Sequence, residues 1–385
     1  MSQLPAIRSA CGLPASVDVL VVGGGPAGAM AAISAARAGL ATLLVDRAVH
    51  PRDKVCGCCL APMGQQVLHQ AGLGHVLERA RPVQRVRLSG GRRSVQVRRS
   101  GTAVISRGEL DAALLRAAAD AGATLAWPFV GTIKAGGTVQ LRGPGGERCV
   151  RARMRIAADG LQGASLRDNP HFGWHVRGAS RMGLGAILPA GAVDVADDEI
   201  RMHVHRDGYV GLVRLPDGRV DAAAAVRPDA IRASGGPAGC MKRLLGASTL
   251  DHGAVQHAPW HGTPQLWRRR RHLHDRDTLV AGDAAGYVEP FTGEGMGWAA
   301  ATGMAAGAHA AEVLAGDATT GMWPDRARSL TRMAGVRCGV VAWFLRHPLL
   351  VQAGLLAAER WPGVASRTAE SLGAVVPHGG RACQA

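Results

Sequence analysis

The sequence predicts a mixed α/β fold: a Rossmann-like nucleotide-binding domain, an inserted antiparallel β-sheet domain (an α+β insert), and a helical C-terminal segment. Three observations predict it. A βαβ unit with a glycine-rich turn lies near the start, two later regions alternate short strands with glycine turns, and two strand-ending Asp/Gly pairs recur far along the chain.

The βαβ unit comes first. Met1 to Ser16 reads as a loose tail, and Asp18-Val19-Leu20-Val21-Val22 is an apolar run suited to a buried parallel strand. Gly23-Gly24-Gly25-Pro26-Ala27-Gly28 then turns into a helix of small residues, Ala29 to Ala38, stopped by Gly39. Thr42-Leu43-Leu44-Val45 is the second strand, and Asp46 and Arg47 follow it. In that context Gly23 permits the tight turn, Gly25 lets the backbone approach a pyrophosphate, and Gly28 lets helix and strand pack closely. Free amides at the helix start favour phosphate charge, and Asp46 stands where an acid accepts hydrogen bonds from ribose hydroxyls.

From Val83 to Ile105 the pattern changes to antiparallel strands, followed by a helix over Glu109 to Ala121. Gly143-Pro144-Gly145-Gly146 predicts a hairpin, and a second antiparallel region runs from Gly183 to Val226. Gly235 to Gly239 echoes the first glycine motif but lacks a preceding apolar strand, so it reads as a loop opening a helix. After Pro324 the chain reads as helical to Ala358, interrupted at Arg346-His347-Pro348. The expected domains are 17–82, 104–165 and 272–320 for nucleotide binding, 83–103 and 166–271 for the β-rich part, and 321–385 for the C-terminal helices.

The composition narrows the class. Over 385 residues, 47% are hydrophobic, enough for a substantial core. The net charge of +16 admits anionic partners, but the basic residues are nearly all Arg in an Ala- and Gly-rich chain, which reads as compositional bias. Arg268 to Arg271 reads as a solvated loop rather than a nucleic-acid patch, so nucleic acid is not an expected partner. No apolar run reaches membrane-spanning length, and the cysteines are irregularly spaced, which together point to a cytoplasmic setting. Val340 to Phe344 and Leu349 to Ala358 are apolar enough to cap a greasy pocket or rest on a membrane surface, though packing on the core is the favoured reading.

The remaining motifs carry the chemistry. Asp159-Gly160 follows the strand-like Arg155-Ile156-Ala157-Ala158, and Leu279-Val280-Ala281 ends in Gly282-Asp283. Pro290, Thr292, Gly293, Glu294, Gly295 and Met296 then lead into a small-residue helix whose start can present amides to an anionic ring. Lys54-Val55-Cys56-Gly57-Cys58-Cys59 is the most unusual local string. With no second C-x-x-C to complete a ligand set, it is not expected to hold a metal.

With three glycine motifs in this order, the chain resembles the FAD-dependent oxidoreductases that include p-hydroxybenzoate hydroxylase and geranylgeranyl reductase. It looks closest to the geranylgeranyl reductase-like branch, over roughly Val17 to Gly316. The resemblance implies a Rossmann-like FAD-binding domain and a flavoenzyme with NAD(P)H as electron donor. It further implies that Asp283 contacts the flavin ribityl chain, Arg107 the FAD phosphates, and Lys54, Cys56 and Gly57 the flavin face. Val130 is placed near adenine, and Cys56 is the candidate catalytic thiol. A lipophilic, isoprenoid-like substrate undergoing C=C reduction is implied, with peripheral membrane contact possible. Two alternatives stand beside it: a flavin monooxygenase acting on an aromatic or polyketide, and a non-catalytic FAD-binding protein. Halogenation is disfavoured, because Phe172-Gly173-Trp174-His175 does not match that group's tryptophan motif.

Overall fold

The computed structural model describes residues 4–134, 136, 138–246, 251–289, 291 and 293–373. Strand Ser16–Val22, buried over its last four residues, sits inside the first sheet. It pairs in parallel with Thr42–Val45 on one side and Gly146–Ala157 on the other. Thr124–Ala126 and Thr278–Val280 extend the sheet outward, also in parallel. The hairpin at Gly143–Gly146 forms, running Thr138–Gly143 back against Gly146–Ala157. Where these strands pair in parallel their last residues, Val19–Val22, Leu43–Val45, Ile156–Ala157 and Leu279–Val280, are buried and apolar, as strands covered on both faces require.

Helix Pro26–Arg37 covers this sheet and carries a Pro in its first turn, where no amide is lost to the helix ladder. Helix Gly295–Ala315 lies on it at backbone contact. A Cβ on Gly303 would come 2.0 Å from the Ala27 carbonyl oxygen, and one on Gly307 would come 2.2 Å from that of Ala31. The small residues of both helices therefore set how deeply the second one seats. Helix Arg107–Asp120 begins two residues earlier than expected, because the Ser106 hydroxyl accepts from the Glu109 amide at 3.1 Å and caps it.

The second large sheet joins the two antiparallel regions into one layer. Arg81–Gly90 pairs in parallel with Glu199–His205, and Gly208–Arg214, Val220–Val226 and Met182–Leu188 continue the sheet antiparallel. At the opposite edge Cys59–Leu60 pairs with the end of Arg93–Val104. The cysteine string is thus pinned to the second sheet while its flanking residues reach the first. Helices Pro348–Arg360 and Pro362–Gly373 pack against strand Arg93–Val104, burying Val351 and Leu355. Among the described residues no single helix is long and apolar enough to cross a membrane.

Two expectations are corrected. The N-terminal segment is not loose: Leu4 and Leu13 are buried, and Ile7 bridges Ala126 at the sheet edge. The run at 268–271 is not a solvated loop either. Arg268–Arg270 is a strand between Trp174–Val176 and Gly286–Tyr287. Arg268 and Arg270 turn inward, stacking on Trp174 at 4.3 and 3.9 Å. Arg270 donates to the carbonyls of Gly163, Phe172 and Ala284. The flat guanidinium satisfies several backbone oxygens at once, which allows an alternating basic strand to be half buried.

Candidate functional site

A polar cavity of about 460 Å³ opens at the C-terminal ends of the parallel strands. The backbone builds its floor. Gly23 has φ +115°, and a Cβ there would come 2.4 Å from the Ala158 carbonyl oxygen. A Cβ on Gly28 would lie 1.7 Å from the Gly23 carbonyl oxygen, so this glycine is a packing requirement rather than a cavity wall. Gly25 caps helix Pro26–Arg37 without any side-chain hydrogen bond, and the first turn carries no acid. The helix start therefore presents its amides and its positive dipole end to the cavity.

Asp46 closes one side, accepting the Gly24 amide at 2.6 Å and the Ala48 amide at 2.7 Å. Burial pushes its carboxyl up, but His50, Arg52 and the Ala48 amide outweigh this and hold it well below the usual carboxylate range. Arg47 donates to Gln162 at 2.7 Å across the same cavity, and Val130 lies on the rim. Asp159 accepts the Ser165 amide at 2.7 Å on one oxygen, and its Oδ1 is buried without a hydrogen-bond partner among the described residues.

A smaller cavity of about 120 Å³ continues past Gly25, Pro26 and Ala27 toward Gly293, Gly295 and Met296. Arg107, buried by its fork onto Asp111 at 3.0 and 2.7 Å, stands on its wall. Burial alone lowers this guanidinium's pKa, but Asp111 and Cys56 reverse the shift and keep it charged. Asp283 and Lys54 face each other here. Burial raises the Asp283 carboxyl and lowers the Lys54 ammonium, with the Arg107 charge adding to the Lys54 shift. Gly160 leaves the room Lys54 needs, since a Cβ there would lie 3.1 Å from Nζ. Gly57 also lies on this wall.

Lys54 also lines a third cavity, about 700 Å³ and overwhelmingly apolar. Its floor is the second sheet, through Leu88, Val97, Met202 and Val213. Its roof is the C-terminal helices, through Phe344, Leu355 and Trp361, so the segment expected to pack on the core also caps the pocket. Cys56, Gly57, Asp283, Tyr287 and Gly293 belong to both this cavity and the small one. The three spaces therefore meet at the Lys54–Cys56 string.

Three of the residues singled out in the sequence stand elsewhere. Gly28 packs against the Gly23 backbone, and Gly282 packs on the Ala27 side chain, where a Cβ would lie 2.6 Å from Ala27 Cβ. Glu294 turns its buried side chain away toward helix Trp323–Phe344, accepting from Arg337 at 3.0 Å and Cys338 at 3.5 Å. A carboxylate beside an anionic ring would oppose its charge, and the fold moves it aside. Pro290 lies outside the described residues.

In the second sheet Tyr209 lines the apolar cavity, while His205 Nδ1 lies 3.4 Å from the Asp207 carboxylate. Sequence reasoning missed Tyr287 and Asp221. Tyr287 stands four residues beyond Asp283, and Asp221 is a single acid in the otherwise apolar strand Val220–Val226. Both signals were in the sequence.

The residues present fit a flavin dinucleotide. The uncapped helix start, the glycines that leave no space for a Cβ, the unpartnered Asp159 Oδ1 and the elongated pair of cavities provide a phosphate site, a ribose site and a ring site in line. The FAD binding domain family matches residues 16–323. The menaquinone reductase of Mycobacterium tuberculosis (strain H37Rv) is 30% identical over 355 residues, spanning 80% of this chain and 79% of its own. The digeranylgeranylglycerophospholipid reductase 2 of Methanothermobacter thermautotrophicus is 28% identical over 325 residues, spanning 80% and 81%. A flavoprotein/dehydrogenase from Cytophaga hutchinsonii shares the fold with TM-score 0.80 at 18% identity, covering 94% of each chain. The chain belongs to the FAD binding domain family, with geranylgeranyl and menaquinone reductases among its relatives, and is an FAD-dependent oxidoreductase.

Proposed function

We propose that this oxidoreductase saturates C=C bonds in an isoprenoid-like chain, drawing two electrons from NAD(P)H. The single observation that carries this reading is the apolar cavity of about 700 Å³ meeting the small polar one at Lys54 and Cys56. A cavity of that size and lining suits a long hydrocarbon and offers a polar or charged substrate little. The relatives' names, one a quinone reductase and the other a lipid reductase, agree with it. In this reading the first sheet holds the cofactor and the second holds the substrate.

Bound flavin supplies hydride transfer. The chain's own groups do the rest. Gly23, Gly25 and the amides of helix Pro26–Arg37 would hold the pyrophosphate with Arg107 beside Gly25, Asp46 would orient the ribose, and Asp283 would meet the ribityl chain. The start of helix Gly295–Ala315 would present its positive dipole end to the ring. Leu88, Val97 and Phe344 exclude water from the reacting bond. Lys54 holds the proton at Nζ that the second carbon requires, and its lowered pKa makes it a stronger acid than a free lysine.

The cavity mouth also suggests how a lipid arrives. Trp361 and Val364 line the cavity yet are 60% and 62% exposed, and Trp343 and Leu349 continue the apolar face outward. The exposed Arg360 precedes Trp361 on it. This face is read as resting on an anionic bilayer.

The test is the product. With NAD(P)H and a polyprenylated quinone or lipid, the expected product gains two hydrogens per reduced bond. A product gaining one oxygen atom instead would replace this reading with a monooxygenase.

A further inference from the structure

We propose that Cys56 and Cys58 form a redox-active dithiol in the wall between the cavities. Cys56 is the attacking thiolate, Cys58 the resolving thiol, and Asp221 the base that takes the Cys58 proton. The small disulfides this site takes are reduced as a Cys56–Cys58 disulfide forms. The inference is independent of the substrate reading above.

The geometry carries it. Cys56 is partly exposed to both the small and the apolar cavity, whereas Cys58 is 1% exposed behind it. Only Gly57 separates them, and a Cβ on Gly57 would meet nothing within 4 Å, so the loop has room to flex. Cys58 holds φ +50°, a left-handed conformation that bends the string back on itself. Cys56 packs against the buried cluster that holds Cys58, and two residues of chain span at most about 7 Å, close to the separation a disulfide bridges.

The surroundings divide the roles. The Cys58 thiol donates toward Cys56 and is the largest influence on it. Burial opposes that effect, and Arg107 adds to it, bringing Cys56 to about 6. Cys58 is pushed up in turn by its bond to Cys56 and by burial, so it keeps its proton. Burial likewise pushes Cys59 up, and Asp221 and Cys56 face it with like charge. Asp221 is the remaining piece: a carboxyl 2% exposed among Val and Ala, with Oδ2 lacking a hydrogen-bond partner among the described residues. Burial, then the Cys56 charge, raise it strongly, while contact with the Cys58 thiol opposes them. Its open Oδ2 beside the buried thiol is where the Cys58 proton can go once the Cys56 charge is lost to the mixed disulfide. Arg99 faces the string from the strand beside Cys59, Asp53 acts on Asp221, and Lys54 and Asp283 line the same cavity.

The chemistry closes in two steps. Cys56 sulfur attacks one sulfur of a small disulfide, the reagent's S–S bond breaks, and one thiolate leaves with the electron pair. Cys58 then passes its proton to Asp221 and attacks Cys56 sulfur, releasing the reagent's second half as a thiolate. Two protein sulfurs are oxidised by two electrons, two reagent sulfurs are reduced, and the Cys58 proton ends on a released thiol.

The experiment uses the purified full chain with Cys11, Cys149 and Cys383 replaced by serine, treated with 2-hydroxyethyl disulfide, alkylated and weighed intact. The parent and its Cys59→Ser variant are expected to lose two hydrogens and keep no adduct. Cys58→Ser is expected to retain half the reagent as a mixed disulfide, and Cys56→Ser to react roughly tenfold more slowly. Asp221→Asn is expected to form the adduct at the parent rate but resolve it about tenfold more slowly. The first step should slow as pH falls through about 6, where Cys56 gains its proton. Matched circular dichroism identifies variants that retain the fold. A folded Cys58→Ser without adduct, loss of the disulfide in folded Cys59→Ser, or parent-rate resolution in Asp221→Asn would overturn the proposal.

Discussion

The polar cradle and the apolar cavity share Lys54 but are built on opposite principles. Backbone defines the cradle: at Gly23 and Gly28 other backbone atoms already occupy the space a Cβ would take, while a Cβ on Gly25 would meet only the Arg107 side chain, at 3.5 Å. Side chains define the apolar cavity, where Leu88, Val97, Met202 and Phe344 converge from two strand pairs and a C-terminal helix. A backbone-built site tolerates almost no substitution at its glycines and many elsewhere. A side-chain-built site tolerates changes of shape but not of polarity. The comparison predicts that the two regions fail differently.

The largest effect is expected at the cradle. Gly28→Ala places a methyl 1.7 Å from the Gly23 carbonyl oxygen, so helix and strand must separate. The protein should purify without yellow colour and lose about 1–3 kcal/mol of stability, read from flavin content and thermal melting. A yellow, fully stable Gly28→Ala protein would break the backbone half of the comparison.

The apolar cavity should lose turnover while keeping its flavin. Val97→Asp puts a carboxylate into the hydrocarbon lining, and an unpaired polar group there costs roughly 2–7 kcal/mol. The KM for a prenyl substrate should rise at least about tenfold, with flavin absorbance unchanged. Loss of flavin would instead mean that the two regions are not separable.

Asp46 gives a milder effect with a clear sign in pH. Its folded pKa is depressed, so its contribution to stability is present above the unfolded carboxylate value and disappears as pH falls through the folded one. FAD affinity should be flat from neutral pH down to about pH 5 and fall only in stronger acid. Asp46→Asn should weaken binding by about tenfold, measured by fluorescence titration at neutral pH. A titration midpoint near neutrality would contradict this arrangement.

The smallest effect on the cofactor is expected at Glu294. Its side chain bonds Arg337 and Cys338 rather than facing either cavity, so Glu294→Gln should lower stability by about 1–2 kcal/mol. Flavin content should not change.

These differences explain what the sequence made legible. The cradle could be read residue by residue, because glycine spacing on a strand–turn–helix unit encodes backbone geometry directly. The two antiparallel stretches were legible as strands of one β-rich domain, but the way they join was not, since it rests on the parallel pairing of Arg81–Gly90 with Glu199–His205, more than a hundred residues away. Arg268 and Arg270 misled because stacking on Trp174 and multiple carbonyl partners are tertiary facts. Glu294 misled in the opposite direction: its motif position says nothing about which way the side chain turns. Of the apolar cavity only the C-terminal cap was legible, as apolar runs able to cover a greasy pocket; its other walls come from segments with no shared local pattern.

The central claim is that electrons held in the cradle pass to a hydrocarbon in the apolar cavity. Anaerobic stopped-flow mixing tests it most directly: chemically reduced enzyme is mixed with a polyprenyl lipid, and the return of oxidised flavin absorbance is followed. The account predicts reoxidation without oxygen, stoichiometric with C=C bonds reduced and lost in Val97→Asp. Reoxidation only when oxygen is admitted, with the lipid unchanged in its absence, would contradict it.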